Sequence, residues 1–134
     1  MKSKLEFLKK FISPVQIKSI KELALNSEES QYFKDKIDEI YTTVDTMPKT
    51  YEADGQEDKA VAYLHYFMNN SDFFIIEKDK EEEQLQAFGL VSLNGHYPEL
   101  GYISIQELLE VGFELDLEWS PKTLKEIFKE LERE

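Results

Sequence analysis

The chain has no cysteine, one arginine, four prolines and five glycines in 134 residues. Without cysteine there is no disulfide framework, no thiolate nucleophile and no cysteine-based zinc site. So few Gly and Pro argue against long linkers and low-complexity segments. No run approaches the roughly 18 consecutive apolar residues of a membrane span. The amino-terminal stretch MKSKLEFLKKFISPV is broken by Glu6, Lys9 and Lys10 and has no A-x-A site. It therefore does not read as a secretory signal, and a cytoplasmic location is expected. The motifs GxSxG, Walker A, GxGxxG and HExxH are all missing, so no cofactor is expected and no reaction is named by a local signature.

What is present is a folded composition with a strong negative charge. Hydrophobic residues make up 41% and aromatics 13%, enough for one core in a chain of this length. Asp and Glu number 28 against 16 Lys and Arg, a formal net charge of −12. Proteins that hold duplex DNA build basic faces rich in arginine, to displace counterions and grip phosphate and guanine. With Arg133 the sole arginine, duplex DNA is not an expected partner, and an anionic membrane is disfavoured for the same reason. The charge is uneven. Residues 1–25 hold six Lys against Glu6 and Glu22, and every later stretch is acidic. Basic first helices docked beside acidic neighbours explain this; a small anion- or nucleic-acid-binding patch at Lys9, Lys10, Lys18 and Lys21 is the sharper reading.

The first third reads as helix. Leu5, Leu8, Phe11 and Ile12 have helical spacing, and Ser13-Pro14 is a cap followed by proline at the first helical position. Ile17, Ile20, Leu23 and Ala24 then share a face. A further helix, opening at Asn26 or Ser27, carries Phe33, Ile37, Ile40, Tyr41 and Val44, the clearest amphipathic pattern in the chain, and stops at Met47-Pro48. Residues 45–60 form a long acidic connection. From there the pattern changes to sheet. VAYLHYFM (61–68) and FFIIEK (73–78) flank the turn cluster Asn69-Asn70-Ser71-Asp72, a hairpin signal. LQAFGLVSL (85–93) follows an acidic tip, KDKEEEQ, and a fourth strand lies near Leu100–Ile103. The first and third of these runs are apolar at both parities, so they need cover on both faces. Ser104 and Glu107 form a capping box, Ile103 and Leu108 a hydrophobic staple, and Gly112 a stop. FELDLEW (113–119) alternates as a half-exposed edge strand whose acidic face holds Glu114, Asp116 and Glu118. Ser120-Pro121 is read as the cap of a last helix striped by Leu124, Ile127, Phe128 and Leu131. The expected fold is α+β: one domain over 1–134, helical over 1–46 and sheet-rich over 47–134. Its mainly antiparallel sheet has four to five strands, with two further helices.

Candidate sites are few. His65, His96 and Glu99 would centre a small hydrolase or a metal-dependent enzyme, but no third neutral ligand lies nearby, and a histidine inside an apolar strand is ordinarily packed and hydrogen-bonded. Aligning Gly55 with the invariant glycine of a calcium loop puts Thr50, Glu52, Asp54 and Asp58 at ligand positions, yet Val61 falls where a bidentate Glu is needed. Weak cation binding at Glu52, Asp54, Glu57 and Asp58 is all that this segment suggests. No resident metal is expected. Seven Tyr and the single Trp119 could stack single-stranded bases, although the basic groove that such binding needs is missing. Tyr and Trp amid carboxylates better suit a protein-binding surface.

The segments MPKTYEADG, YLHYF, EKD, QAFGL, ELGYIS with the following EL, and LDL, spread over about residues 47–127, resemble one known family. It is the uncharacterised domain carried by plasmid, conjugative-element and phage polyvalent proteins, often beside ArdC-type antirestriction modules. The resemblance implies a mobile-element context and brings no activity or catalytic residue with it. Much of the ELGYIS string has an architectural explanation as a strand feeding a capped helix; Glu99, after Pro98, has none and is a candidate binding residue.

The expectation is therefore a non-catalytic acidic interaction domain that binds a basic or nucleic-acid-binding protein, in its sharper form by mimicking DNA phosphates. Its surface would comprise Glu81, Glu82 and Glu83 of the tip, Glu99, and the face of Glu114, Asp116 and Glu118. The alternatives are a single-strand-binding accessory module using Lys9, Lys10, Lys18 and Lys21, and the small enzyme at His65, His96 and Glu99.

Overall fold

In a computed structural model that describes residues 1–52 and 55–132, the backbone of Glu57 included but not its side chain, the fold is α+β. Asp54 and Arg133, and the side chain of Glu57, lie outside the described residues. Three helices come first: α1 (Lys2–Leu8), α2 (Pro14–Asn26) and α3 (Ser30–Thr46). Ser13 caps α2 as its sequence implies, its hydroxyl accepting from the Gln16 amide, with proline in the first turn. Phe11 and Ile12 belong to the turn after α1 rather than to the helix, yet both are buried. α3 opens at Ser30, because Ser27 ends α2 by accepting from Glu29 N and donating to Leu23 O.

A 3-10 turn (Glu57–Lys59) leads into β1 (Val61–Ala62), β2 (Leu64–Met68), β3 (Ser71–Glu77), β4 (Ala87–Ser92) and β5 (Glu99–Ile103). Then come α4 (Ile105–Val111), β6 (Glu114–Leu115), β7 (Lys122–Thr123) and α5 (Leu124–Glu132). The main sheet is antiparallel throughout, in the order β5-β4-β3-β2-β6, and β1 with β7 makes a separate two-stranded ribbon. The run 61–68 is thus two strands. Tyr63 separates them, its amide still donating to Ile75 O, while β1 turns aside to pair with β7.

Both faces of the sheet are covered, as the two-sided apolar strands require. On one, Leu64, Tyr66 and Ile75 pack beneath α1–α3 and α4 in a core with Leu8, Ile12 and Val44. On the other, Ala62, Phe74, Ile76 and Leu90 meet Ala60 and, from α5, Leu124 and Ile127, with Trp119, Phe128 and Leu131 around them. Gly89 is obligatory between β3 and β4: a Cβ there would lie 1.9 Å from the carbonyl oxygen of Phe74. At the other end of the sheet, the Gln16 side chain completes the outer edge of β6. Its amide donates to Leu115 O at 2.7 Å and accepts from Leu115 N at 2.9 Å, replacing a sixth strand for that residue.

α4 is capped as expected, with Ser104 Oγ accepting from Glu107 N and Gly112 in the left-handed conformation. The other two expectations for this region need correction. FELDLEW is a strand only at Glu114–Leu115. Beyond it the Asp116 carboxylate accepts from Glu118 N and its carbonyl from Trp119 N, so the chain turns. The cap of α5 is Thr123, not Ser120. Thr123 Oγ1 accepts from Glu126 N, and Glu126 accepts from Thr123 N at 3.1 Å, a reciprocal T-x-x-E box.

Candidate functional site

The acidic tip is an ordered loop whose interior differs from its surface. Lys78, Asp79 and Gln84 are buried. Asp79 accepts from the amides of Glu81, Leu85 and Gln86, and the Gln84 side chain accepts from Asp79 N while donating to the carbonyls of Asp79 and Glu81. Thr50 ties the loop base, donating to Lys78 O and Gln86 O. Lys78 Nζ caps the carboxyl end of α3 through Val44 O and Asp45 O at 2.5 and 3.1 Å. Burial holds this amine below the ordinary lysine range, against the pull of Asp45 and Glu52. Glu81, Glu82 and Glu83, like Lys80, face solvent, and the three carboxylates bond to no described side chain.

Glu114, Asp116 and Glu118 do not form one face. Glu114 is exposed opposite Phe67. Asp116 Oδ2 lies 3.0 Å from His65 Nδ1, and the other ring nitrogen, Nε2, lies 2.7 Å from Asp72 Oδ1. His65 is stacked on Phe74, 4.7 Å between centroids, and flanked by Trp119 at 5.1 Å. Glu118 accepts from the Tyr32 hydroxyl and meets Lys36 at 3.6 Å. The hydrogen bond to Glu118 raises the Tyr32 hydroxyl above its ordinary value. For Lys36, burial pulls down, but the bond to Glu39 and the charges of Glu39 and Glu118 more than offset it, and the amine ends above its ordinary value. Glu99 starts β5 opposite Val91 and is exposed.

The lysines of the first helices are dispersed. Lys9 is paired with Glu6 at 2.7 Å. Lys9 and Lys10 line a crevice of about 370 Å³ together with Glu83 and Glu110, so acid and base alternate there. Lys18 and Lys21 are exposed on α2. For the enzyme reading, His65 has both nitrogens engaged by carboxylates. His96 stands in the β4–β5 turn and lines a different hollow, of about 660 Å³, with Asp72 and Tyr97. Among the described residues no group of three or more His, Asp and Glu is placed to hold a metal ion. No described helix is long and apolar enough to cross a membrane.

Of the seven tyrosines, Tyr66 is wholly buried, its hydroxyl donating to Phe11 O and raised by burial. Tyr51 and Tyr102 are exposed and hydrogen-bonded to each other at 2.8 Å. Tyr63, with Trp119, lines a groove that the sequence does not foretell. It lies between α3 and the turn after β6 and encloses about 500 Å³. Asp38, Glu39 and Asp116 bring carboxylates to it, and among the described residues no lysine lines it. Its residues are up to 83 positions apart in the chain, so no local motif could have signalled it.

Compared with known protein families, with characterised proteins and with solved structures, the chain matches none.

Proposed function

We propose that this chain is a non-catalytic, acidic protein-interaction domain of a mobile genetic element, and that its partner is a basic or nucleic-acid-binding protein. The observation that carries the reading is a set of exposed carboxylates with no partner among the described side chains, on a chain of net charge −12. Glu81, Glu82, Glu83, Glu99 and Glu114 are exposed and make no bond to a described side chain. Lys4, Lys9, Lys36 and Lys122 are paired with carboxylates. Pairing removes one charge of each sign, so the excess of −12 remains, and these exposed carboxylates are places where it meets solvent. The negative field there speeds encounter with a basic surface, repels duplex DNA and fades as salt rises. In its sharper form the exposed carboxylates stand in for phosphates in the nucleic-acid channel of a defence or DNA-processing enzyme. The mobile-element part of the proposal rests on the sequence resemblance over residues 47–127.

The test is affinity capture from a bacterial lysate with mass spectrometry, at low and at moderate salt. Reproducible recovery of a DNA-processing or defence protein, lost as salt rises and reduced by Glu81→Gln/Glu82→Gln/Glu83→Gln, is the expected result. Recovery of nothing at either salt would overturn the reading.

A further inference from the structure

We infer that the groove between α3 and the turn after β6 is a receptor for an arginine side chain of the partner protein. This deepens the interaction reading and rests on it. A guanidinium on its methylene stem needs three things: an apolar channel for the stem, carboxylate oxygens for the charge, and aromatic rings beside it. The groove holds all three. Ile40, Leu64 and Leu115 supply apolar lining, Tyr63 and Trp119 the rings, and Asp38, Glu39 and Asp116 the carboxylates, in about 500 Å³.

Two of the three carboxylates are not used up internally. Asp38 meets Lys4 through Oδ1 and Glu39 meets Lys36 through Oε2, which leaves the second oxygen of each open. The Lys4–Asp38 contact is exposed on both sides, with 37% and 57% of the side chains accessible. Pairs of that kind hold weakly and yield to a better-matched cation. Asp116, by contrast, is fixed by His65 and by its own turn, so it serves as a set wall rather than a mobile arm. The cation that already sits over Trp119, Lys122 at 4.8 Å from the ring centroid, is neutralised by Glu130 at 2.9 and 3.1 Å and leaves the groove's field negative. Arginine is favoured over lysine because its planar fork can take two carboxylate oxygens at once and lie against a ring, whereas an ammonium is a strongly hydrated point charge.

Trp119 is the sole tryptophan, so the intact chain reports on its own groove. Hexa-arginine peptide, titrated at low salt and followed by Trp119 emission and by calorimetry, is expected to bind with a saturable change in emission. Asp38→Asn/Glu39→Gln is expected to weaken it roughly fivefold, the loss of two exposed charge contacts. Glu81→Gln/Glu82→Gln/Glu83→Gln is expected to change it less than about twofold, since the tip lies away from the groove. Hexa-lysine should bind more weakly, and hexa-citrulline should leave the emission unchanged. Heat of binding without any change in Trp119 emission, or equal affinity for wild type and Asp38→Asn/Glu39→Gln, would overturn the groove while leaving the acidic-surface reading intact. Equal binding of hexa-lysine would overturn the choice of arginine. No binding by either method would overturn both.

Discussion

The two acidic segments, KDKEEEQ between β3 and β4 and FELDLEW between α4 and β7, both carry clustered carboxylates and differ in what those carboxylates do. In the first, one buried acid, Asp79, binds the loop's own amides and holds three glutamates outward with no side-chain partner. In the second, Asp116 and Glu118 are committed to His65, Tyr32 and Lys36, and only Glu114 is left over. Counting acidic residues thus overstates what either segment offers a partner, by one acid in the first and by two in the second. In the first segment the bonds of Asp79 are local, within seven residues, Lys78 ties the segment to the end of α3, and the glutamates remain available to a partner. The second segment works as a clasp, drawing β2, β3 and α3 together and shaping one wall of the groove.

The comparison breaks most completely if the strands that carry the first segment are forced apart. Gly89→Ala places a Cβ 1.9 Å from Phe74 O, a backbone atom that cannot rotate away. The expected cost is at least about 3 kcal/mol, or a fall in Tm on the order of 10 °C by circular dichroism. A variant within about 1 kcal/mol of wild type would contradict the β3–β4 pairing described above.

Removing the organising acid from each segment sharpens the contrast. Asp79→Ala strips three amides of their acceptor inside a buried loop and should cost about 3 kcal/mol. Asp116→Ala removes two contacts at a carboxylate 30% exposed, where water replaces part of what is lost, and should cost about 1–2 kcal/mol. Urea unfolding of the two variants side by side checks the order. If Asp116→Ala were the more damaging, the clasp rather than the loop would be the structural member.

Much of this architecture is legible in the sequence wherever the signal is local. The caps at Ser13, Ser104 and Gly112 and the stripe of α3 are each set by residues within one or two turns. The misread places are those where a distant partner decides. Phe113, Leu115, Leu117 and Trp119 have the period of a strand, but the strand has a partner only as far as Leu115, and Asp116 then bends the chain. VAYLHYFM has no internal break signal; it divides because β1 is claimed by β7, some 60 residues on. Ser120-Pro121 has the residue types of a helix start, but the helix opens where Thr123 and Glu126 exchange hydrogen bonds. The candidate acids were nameable one by one, but which of them are free was not. His65 meets one acid 7 residues away and another 51 away, and the groove joins α3 to a turn near residue 120.

A smaller effect tests the clasp from its outer side. Glu118 contributes to raising both the Tyr32 hydroxyl and the Lys36 amine. A group whose folded value lies above its unfolded value adds stability below the unfolded value, near pH 10 for both residue types, and loses it as pH climbs through the folded value. Glu118→Gln should therefore lower Tm slightly at pH 7. The gap between wild type and variant should narrow as thermal scans are taken above about pH 10. A gap that stays constant across that range would place the contribution of Glu118 elsewhere.

The smallest expected change in stability belongs to the tip glutamates, whose expected part is in steering the encounter with the partner rather than in lining the groove. Glu81→Gln/Glu82→Gln/Glu83→Gln removes three exposed charges that hold no side chain in place, and Tm should stay within about 2 °C of wild type. Relief of repulsion between neighbouring glutamates could even raise it. Neutralising Glu114, Asp116 and Glu118 together removes the same formal charge but should lower Tm, since two of those three carboxylates have internal partners. The salt dependence of partner binding should rank the two triples in the opposite order. It should flatten more for the tip variant, because Glu118 is already paired with Lys36 and Asp116 is only partly exposed, so both send less field into solvent. Equal salt dependence in both variants would mean that net charge alone governs the encounter and that the arrangement of the two segments does not matter to it.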